Sequence, residues 1–157
     1  MMSGAAHPVS VLWPLMVSAA MSVVTILVHA TALIAAAWLL RRRMQSGLTT
    51  TSFSGDIWLT AGIALLALAS HFVEIALWAV LLVLCGEFTD FPASLYESAM
   101  NYTSLGYGDV VMSPSWKLLG PIEAATGLLM FGVSTAWIFA VMQQSLRTKF
   151  AAAPAVR

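Results

Sequence analysis

The stretch that decides the fold reads Thr103-Ser104-Leu105-Gly106-Tyr107-Gly108-Asp109, and it lies between two long apolar segments. Its two glycines accept a positive φ without steric cost, so they favour an irregular backbone. Such a backbone cannot face lipid, because each unpaired N–H or C=O group there costs several kcal/mol. At membrane depth it is stable only where it is buried in protein or lines a watery path. The alternative is a tight turn outside the membrane.

The composition places the flanking segments in a membrane. The chain has 157 residues, of which 60% are hydrophobic and 9% are charged, and its mean hydropathy is +0.87. Three segments are long enough to cross a bilayer. They are Val9–Leu40, Ile57–Cys85 and Trp116–Gln143. We therefore expect an all-α membrane protein with three transmembrane helices.

A fourth segment, Thr89–Tyr102, is too short and too polar to cross, and its pattern is typical of a re-entrant helix. Asp90 is a good N-cap residue. Pro92 is tolerated in a first helical turn, where the N–H groups lack partners in any case. The C-terminal end of this helix would point at the membrane centre, where the negative end of its dipole favours a cation.

The basic residues predict the orientation. Three follow the first span, three follow the third, and one lies on the opposite side. They are Arg41, Arg42 and Arg43, then Arg147, Lys149 and Arg157, and finally Lys117. Because cytoplasmic loops carry an excess of Lys and Arg, we expect the N-terminus outside and the C-terminus in the cytoplasm. The expected location is the inner cell membrane, with the glycine-rich loop on the outer side.

The stretch 103–109 resembles the selectivity filter of the potassium channel family, whose pattern is Thr-Val-Gly-Tyr-Gly-Asp. Ser104 stands where Thr is usual, and Leu105 stands where Val is usual. The resemblance covers Thr89–Val141, about a third of the chain, and it is to bacterial pore-loop cation channels that assemble as tetramers. It implies that residues Thr103 to Gly108 form the filter. The implied K⁺ ligands are Ser104 Oγ and the backbone carbonyls of Ser104, Leu105, Gly106 and Tyr107.

The resemblance also implies a division of the chain. Residues 57–146 would form the pore domain, with an outer helix, a pore helix, a filter and an inner helix. Residues 1–56 would add a transmembrane helix and an Arg-rich cytoplasmic loop, and residues 147–157 a short cytoplasmic tail. Gly127 and Gly132 are similar to inner-helix glycines, which implies a hinge for a gate. The alternative for these glycines is close helix packing, since small residues let membrane helices approach.

Three acidic residues, Glu87, Asp90 and Asp109, are expected at the outer mouth. Several copies of them would make a negative vestibule that concentrates cations. The resemblance places Asp109 behind the filter.

Four further ionisable residues lie in apolar surroundings, where they must turn away from lipid. They are His71, Glu74, Glu97 and Glu123. One interpretation is a buried acid cluster behind the filter that senses pH, in which at least one carboxyl holds a proton near neutral pH. The other is that these groups satisfy tyrosine hydroxyls without a role in gating. The sequence leaves both open.

The predicted function is passive K⁺ conduction, with K⁺ as the permeant ion and no cofactor or nucleic acid. One alternative is a weakly selective monovalent cation channel of the same architecture. A remote alternative is a membrane haem protein with His29 and His71 as ligands; otherwise His29 reads as an isolated structural histidine. Enzymatic hydrolysis is disfavoured, because the chain shows no nucleophile or zinc motif.

Overall fold

The structure, a computed structural model, describes residues 11–45 and 53–152, and all regular secondary structure within these ranges is helical. Its helices are α1 (Leu12–Gln45), α2 (Phe53–Leu84), α3 (Phe91–Tyr102) and α4 (Leu119–Ala152). All but α3 contain an apolar stretch long enough to cross a bilayer. The prediction of an all-α, multi-pass membrane protein with three candidate spans is therefore confirmed.

The spans differ from the predicted ones at their ends. The helix α1 runs past Leu40 through the three arginines, which are good helix formers. The predicted start of the third span at Trp116 is wrong, because residues 114–118 form turns and α4 begins at Leu119. Backbone hydrogen bonds from Trp116 to Ser113 (3.1 Å) and from Leu119 to Trp116 (2.9 Å) close these turns. Val9, most of the Arg-rich loop (46–52) and residues 153–157 lie outside the described ranges.

The turn between α2 and α3 is built by a glycine and a cap. Gly86 has φ +77° just after the end of α2, and the Glu87 N–H donates to Leu82 O at 3.1 Å. This six-residue closure is the Schellman pattern that satisfies the last carbonyls of a helix. Asp90 then caps α3 as predicted, since its carboxylate accepts from the Ala93 N–H at 3.0 Å. The chain thus reverses within a few residues and sends α3 back along α2.

The short helix α3 packs between α2 and α4, whereas α1 packs on α2 and α4 and does not contact α3. Two serines attach α3 to α2: Ser94 Oγ donates to Ala79 O at 2.6 Å, and Ser98 Oγ lies 2.8 Å from Ile75 O. Small hydroxyl side chains allow the helices to approach and to exchange such bonds. This attachment positions the end of α3, and the loop that follows it, inside the helical bundle.

Polarity in this bundle is the reverse of that in a water-soluble protein. Large apolar side chains on the long helices are exposed, for example Leu27, Leu65 and Phe72. Hydroxyl, imidazole and carboxyl groups are buried between the helices, for example those of Thr25, His29 and Glu74. Such a distribution suits lipid outside and hydrogen-bonding partners inside.

Candidate functional site

The backbone of the loop after α3 alternates between right-handed or extended residues and left-handed residues. Thr103 closes α3 in a right-handed conformation (φ −83°). Ser104 (φ 58°), Gly106 (φ 50°) and Gly108 (φ 73°) are left-handed. Among the described non-glycine residues, Ser104 is the one with a positive φ, which costs an L-residue roughly 1–2 kcal/mol. The irregular backbone predicted from the two glycines is thus present, and its left-handed positions include one residue that carries a side chain.

The N–H groups of this loop point back at α3. Ser104 N–H donates to Asn101 O at 2.8 Å, and the N–H groups of Leu105 and Gly106 both donate to Met100 O, at 2.9 and 3.2 Å. Within the described chain, no backbone hydrogen bond outside the helices ends on a carbonyl of residues 104–108. The amides of residues 104–106 are therefore used within the chain, whereas the loop carbonyls accept none of these backbone hydrogen bonds.

The loop is also exposed in a single chain, from Thr103 to Asp109. Leu105 is 52% and Tyr107 is 70% exposed. Unpaired carbonyls and apolar side chains on the same exposed loop suit a surface that other chains and a cation complete. Carbonyl oxygens arranged in this way can replace the water shell of a cation.

A tyrosine on α3 braces the far end of the loop. Tyr96 donates its O–H to the carboxylate of Asp109 at 3.0 Å. This hydrogen bond raises the pKa of Tyr96, because losing the proton would remove the bond and set two negative charges side by side. From the sequence, tyrosine hydroxyls are expected only as partners of the buried acids, and the bond from Tyr96 to Asp109 is not predicted. A phenol on the predicted pore helix, paired with a carboxylate at the loop end, was the available signal.

Each acid of the predicted outer mouth also has a local structural task. The two carboxylate oxygens of Glu87 accept from Ser113 N–H and Oγ–H, both at 2.6 Å, which ties the α2–α3 turn to the segment before α4. Asp90 caps α3, and Asp109 accepts from Tyr96. All three lie in the segments that join α2, α3 and α4, so their placement at one end of the bundle is compatible with a charged vestibule.

Five buried residues from all four helices form a ring of contacts, here named the His–Glu cluster. Its members are His29, His71, Glu74, Tyr102 and Ser134. Glu74 lies 2.9 Å from His29 Nδ1 and accepts from the Tyr102 hydroxyl. His71 Nδ1 lies 3.2 Å from the Tyr102 oxygen. On the other side, Ser134 Oγ lies 3.0 Å from Nε2 of both histidines.

The sequence suggested that His29 is isolated, but it joins α1 to Glu74 of α2 and to Ser134 of α4. His71 and Glu74 do share one face of α2, and their closest atoms lie 3.4 Å apart. Ser134 was missed, because a lone serine in an apolar helix carries no signal of its own. The similar depth of His29 and His71 was the available clue to their contact.

The other two predicted acids have different partners. Glu123 is fully buried, and its Oε1 lies 2.5 Å from Ser98 Oγ. Ser98 Oγ also contacts a carbonyl of α2. One hydroxyl hydrogen cannot serve both acceptors, so the geometry favours a proton on Glu123.

Glu97 lies on α3, and burial raises its pKa, against a smaller opposing effect of the nearby Asn101 side chain. The predicted acids therefore do not form one cluster. Glu74 belongs to the His–Glu cluster, Glu123 is hydrogen-bonded to Ser98, and Glu97 lies on α3.

The two inner-helix glycines differ in their surroundings. A Cβ on Gly127 would lie 2.1 Å from the carbonyl oxygen of Tyr102, so α4 can pack against the end of α3 only with glycine there. Gly132 has no atom within 4 Å of such a Cβ. Close packing therefore explains why residue 127 is a glycine. The hinge for a gate at Gly127 or Gly132 stays a prediction.

The geometry of the two histidines bears on the haem alternative. Their ring centroids lie 5.0 Å apart with the planes tilted by 32°, and Ser134 contacts both rings. A macrocycle cannot fit between rings that are joined in this way.

Comparison with known proteins agrees with the loop geometry. A family model described as an ion channel matches residues 57–144, more than half of the chain. The protein is therefore an ion channel of that family, whose matched region begins in α2, includes α3 and the loop, and ends in α4. No curated protein and no solved structure matches the chain.

Proposed function

We propose that this protein is a potassium-selective channel in which four copies of the chain place their 103–109 loops around one axis. The observation that carries the proposal is the loop backbone: the amides of residues 104–106 donate to the end of α3, while the carbonyls of 104–108 accept no backbone hydrogen bond outside the helices. The carbonyls of residues 104–107 and the Ser104 hydroxyl would then bind K⁺ in stacked rings.

The helix α3 supports this proposal electrostatically. It ends at Tyr102, directly before the loop. The C-terminal end of a helix carries a partial negative charge of roughly half an elementary charge. Four such ends directed at one axis would lower the energy of a cation below the filter.

A filter built from rings of carbonyls also requires that several chains assemble. One chain supplies one loop, and a ring of carbonyls needs several loops around an axis. Exposed Leu105 and Tyr107 would be covered by neighbouring copies. In this arrangement residues 57–146 form the pore domain, and α1 lies outside it against α2 and α4.

The proposed orientation in the inner cell membrane places the N-terminus outside and the C-terminus in the cytoplasm. The acids Glu87, Asp90 and Asp109 would then surround the outer entrance, and the arginines at the end of α1 would meet the cytoplasmic lipid headgroups. Labelling of single cysteines introduced at Ser115 and at Gln45, in a protein whose native Cys85 is replaced by Ser, would test this orientation in sealed cells.

The central experiment measures flux through purified protein in liposomes with a K⁺ or a Na⁺ gradient. The wild type should conduct K⁺ and exclude Na⁺. Gly106→Ala should lose this selectivity, because a Cβ disfavours the left-handed backbone that directs the carbonyls. Gly62→Ala is the matched control: Gly62 lies in α2 with no atom near its would-be Cβ, and its substitution should leave flux unchanged.

Unaltered K⁺ selectivity in Gly106→Ala would show that this loop is not the filter. Equal K⁺ and Na⁺ flux in the wild type would favour the weakly selective channel. That alternative is supported by Ser104 and Leu105, which change the side chains that pack behind the carbonyl rings.

A further inference from the structure

The His–Glu cluster has one contact more than its hydrogens can fill. With Glu74 ionised and both imidazoles neutral, His29, His71, Tyr102 and Ser134 each supply one hydrogen. The ring has five contacts, so one of them lacks a hydrogen. The cluster would also carry the charge of Glu74, whose side chain is fully buried. A buried charge without compensation is costly, so the cluster needs either one more proton or a bound cation.

The donor atoms suit a divalent transition metal ion. One ligand atom each from His29, His71 and Glu74 lie within 4.8 Å of one another. Imidazole nitrogen and carboxylate oxygen are preferred ligands of Zn²⁺, at bond lengths near 2.0–2.1 Å, which places tetrahedral neighbours roughly 3.4 Å apart. His29 Nδ1 lies 2.9 Å from Oε1 of Glu74, and His71 Nδ1 lies 3.4 Å from Oε2 of the same carboxylate. Little movement would therefore open the cluster for an ion.

A fourth ligand is present in the Tyr102 oxygen, 3.2 Å from His71 Nδ1. If Tyr102 binds as the phenolate, the two positive charges of the metal balance Tyr102 and Glu74, and the site is neutral. Binding then releases one proton, from Tyr102. A neutral site with four protein ligands is what an apolar surrounding favours.

The contacts on the opposite side of the rings complete the site. When both Nδ1 atoms bind a metal, both histidines carry their hydrogen on Nε2. Ser134 Oγ lies 3.0 Å from both Nε2 atoms, and its two lone pairs can accept from both. Metal-bound histidines almost always donate their second N–H to such an acceptor, which fixes the ring orientation.

We propose that His29, His71 and Glu74, with the Tyr102 hydroxyl oxygen as fourth ligand, bind a structural divalent transition metal ion such as Zn²⁺. Four protein ligands leave no open position, which is typical of a structural rather than a catalytic zinc site. The ion would join α1 to α2 and to the last residue of α3, directly before the loop. Because all four ligand residues are buried, the chain would acquire the ion as it folds.

The test measures metal bound to the full-length protein, expressed in medium that contains Zn²⁺ or Co²⁺ and purified in detergent. Elemental analysis of the wild type should give about one ion per chain, and the cobalt form should show the intense visible bands of a tetrahedral site. His29→Gln and Glu74→Gln should contain almost none. Glu123→Gln is the matched control, because it changes another fully buried carboxyl and should retain the ion.

A milder variant separates weaker metal binding from loss of the fold. Ser134→Ala keeps all four ligands and removes only the acceptor behind the histidines, so it should bind the ion 10- to 100-fold less tightly. The chelator concentration that removes half of the ion measures this change. Wild-type protein that contains no ion would overturn the proposal and assign the missing hydrogen to a proton. His29→Gln that contains as much ion as the wild type would overturn it as well, because the ion would then bind elsewhere. The measurement needs no ion flux, so it is independent of the proposed conduction.

Discussion

At the scale of single residues, the tightest constraint lies at Gly127. The carbonyl oxygen of Tyr102 occupies the space that a Cβ would need. Because that oxygen belongs to the backbone, it cannot rotate away as a flexible side chain could. This position therefore determines how closely α4 approaches the end of α3.

We predict that Gly127→Ala destabilises the protein by at least about 1–3 kcal/mol, the usual cost of overpacking. Gly132→Ala is the control, since a Cβ there meets no atom within 4 Å and alanine favours a helix. The loss of folded protein on heating in detergent measures both variants. Equal stability of the two would mean that α4 can shift away from Tyr102 at little cost.

Glu97 carries a prediction about pH. Burial raises its pKa, so the folded protein holds this proton where an unfolded chain, with a pKa near 4.3, has released it. The contribution to stability is complete below that value and is lost as the pH rises through the raised pKa. Melting temperature should therefore fall with rising pH more in the wild type than in Glu97→Gln. Parallel pH profiles of the two proteins would exclude Glu97 as the group responsible.

At the scale of elements, α3 depends on its ends and on its serines. Asp90 satisfies the first turn, Ser94 and Ser98 contact carbonyls of α2, and Tyr96 contacts the loop end. The helix is short, and isolated helices of this length are marginal in water. These side-chain bonds hold it in place.

Asp90 allows the structural and electrostatic roles of an outer acid to be separated. Asn caps helices about as well as Asp, whereas Ala costs roughly 1 kcal/mol. Asp90→Asn should keep the thermal stability of the wild type, and Asp90→Ala should lower it. Both should reduce inward K⁺ conductance more at low salt than at high salt, because salt already screens the vestibule. Conductance of Asp90→Asn equal to that of the wild type at low salt would remove Asp90 from the vestibule.

At the scale of the whole molecule, α1 covers polar groups that α2 and α4 would otherwise expose. Thr25 accepts from the indole N–H of Trp78 at 3.0 Å, Ser22 lies 2.8 Å from Thr126, and His29 contacts Glu74. The family match begins in α2, so these contacts belong to a helix outside it. They explain how an additional helix can be held against a channel domain.

The complete molecule should be a homotetramer with twelve spans. We expect mass measurement in nanodiscs to give four chains per particle, because the exposed loop needs neighbouring copies to complete its carbonyl rings. Gly62→Ala, which changes an exposed site on α2, should leave this number unchanged. A stable monomer or dimer that still conducts would contradict the proposed filter.

The sequence alone determined what depends on neighbours along the chain. The apolar runs predicted three spans, Asp90 and Pro92 predicted the start of α3, and the glycines of 103–109 predicted an irregular loop. These features follow from hydropathy, capping and backbone sterics, which act over a few residues.

The tertiary structure decided everything that depends on how the helices are rotated and how deep their residues lie. It brought His29 of α1 to Glu74 of α2, directed Tyr96 at Asp109, and set Gly127 against Tyr102. A helix that is apolar on every side gives no periodic signal for the face that meets its neighbours, since lipid and protein interiors are equally apolar. Only the packed bundle therefore shows which of its few polar groups meet.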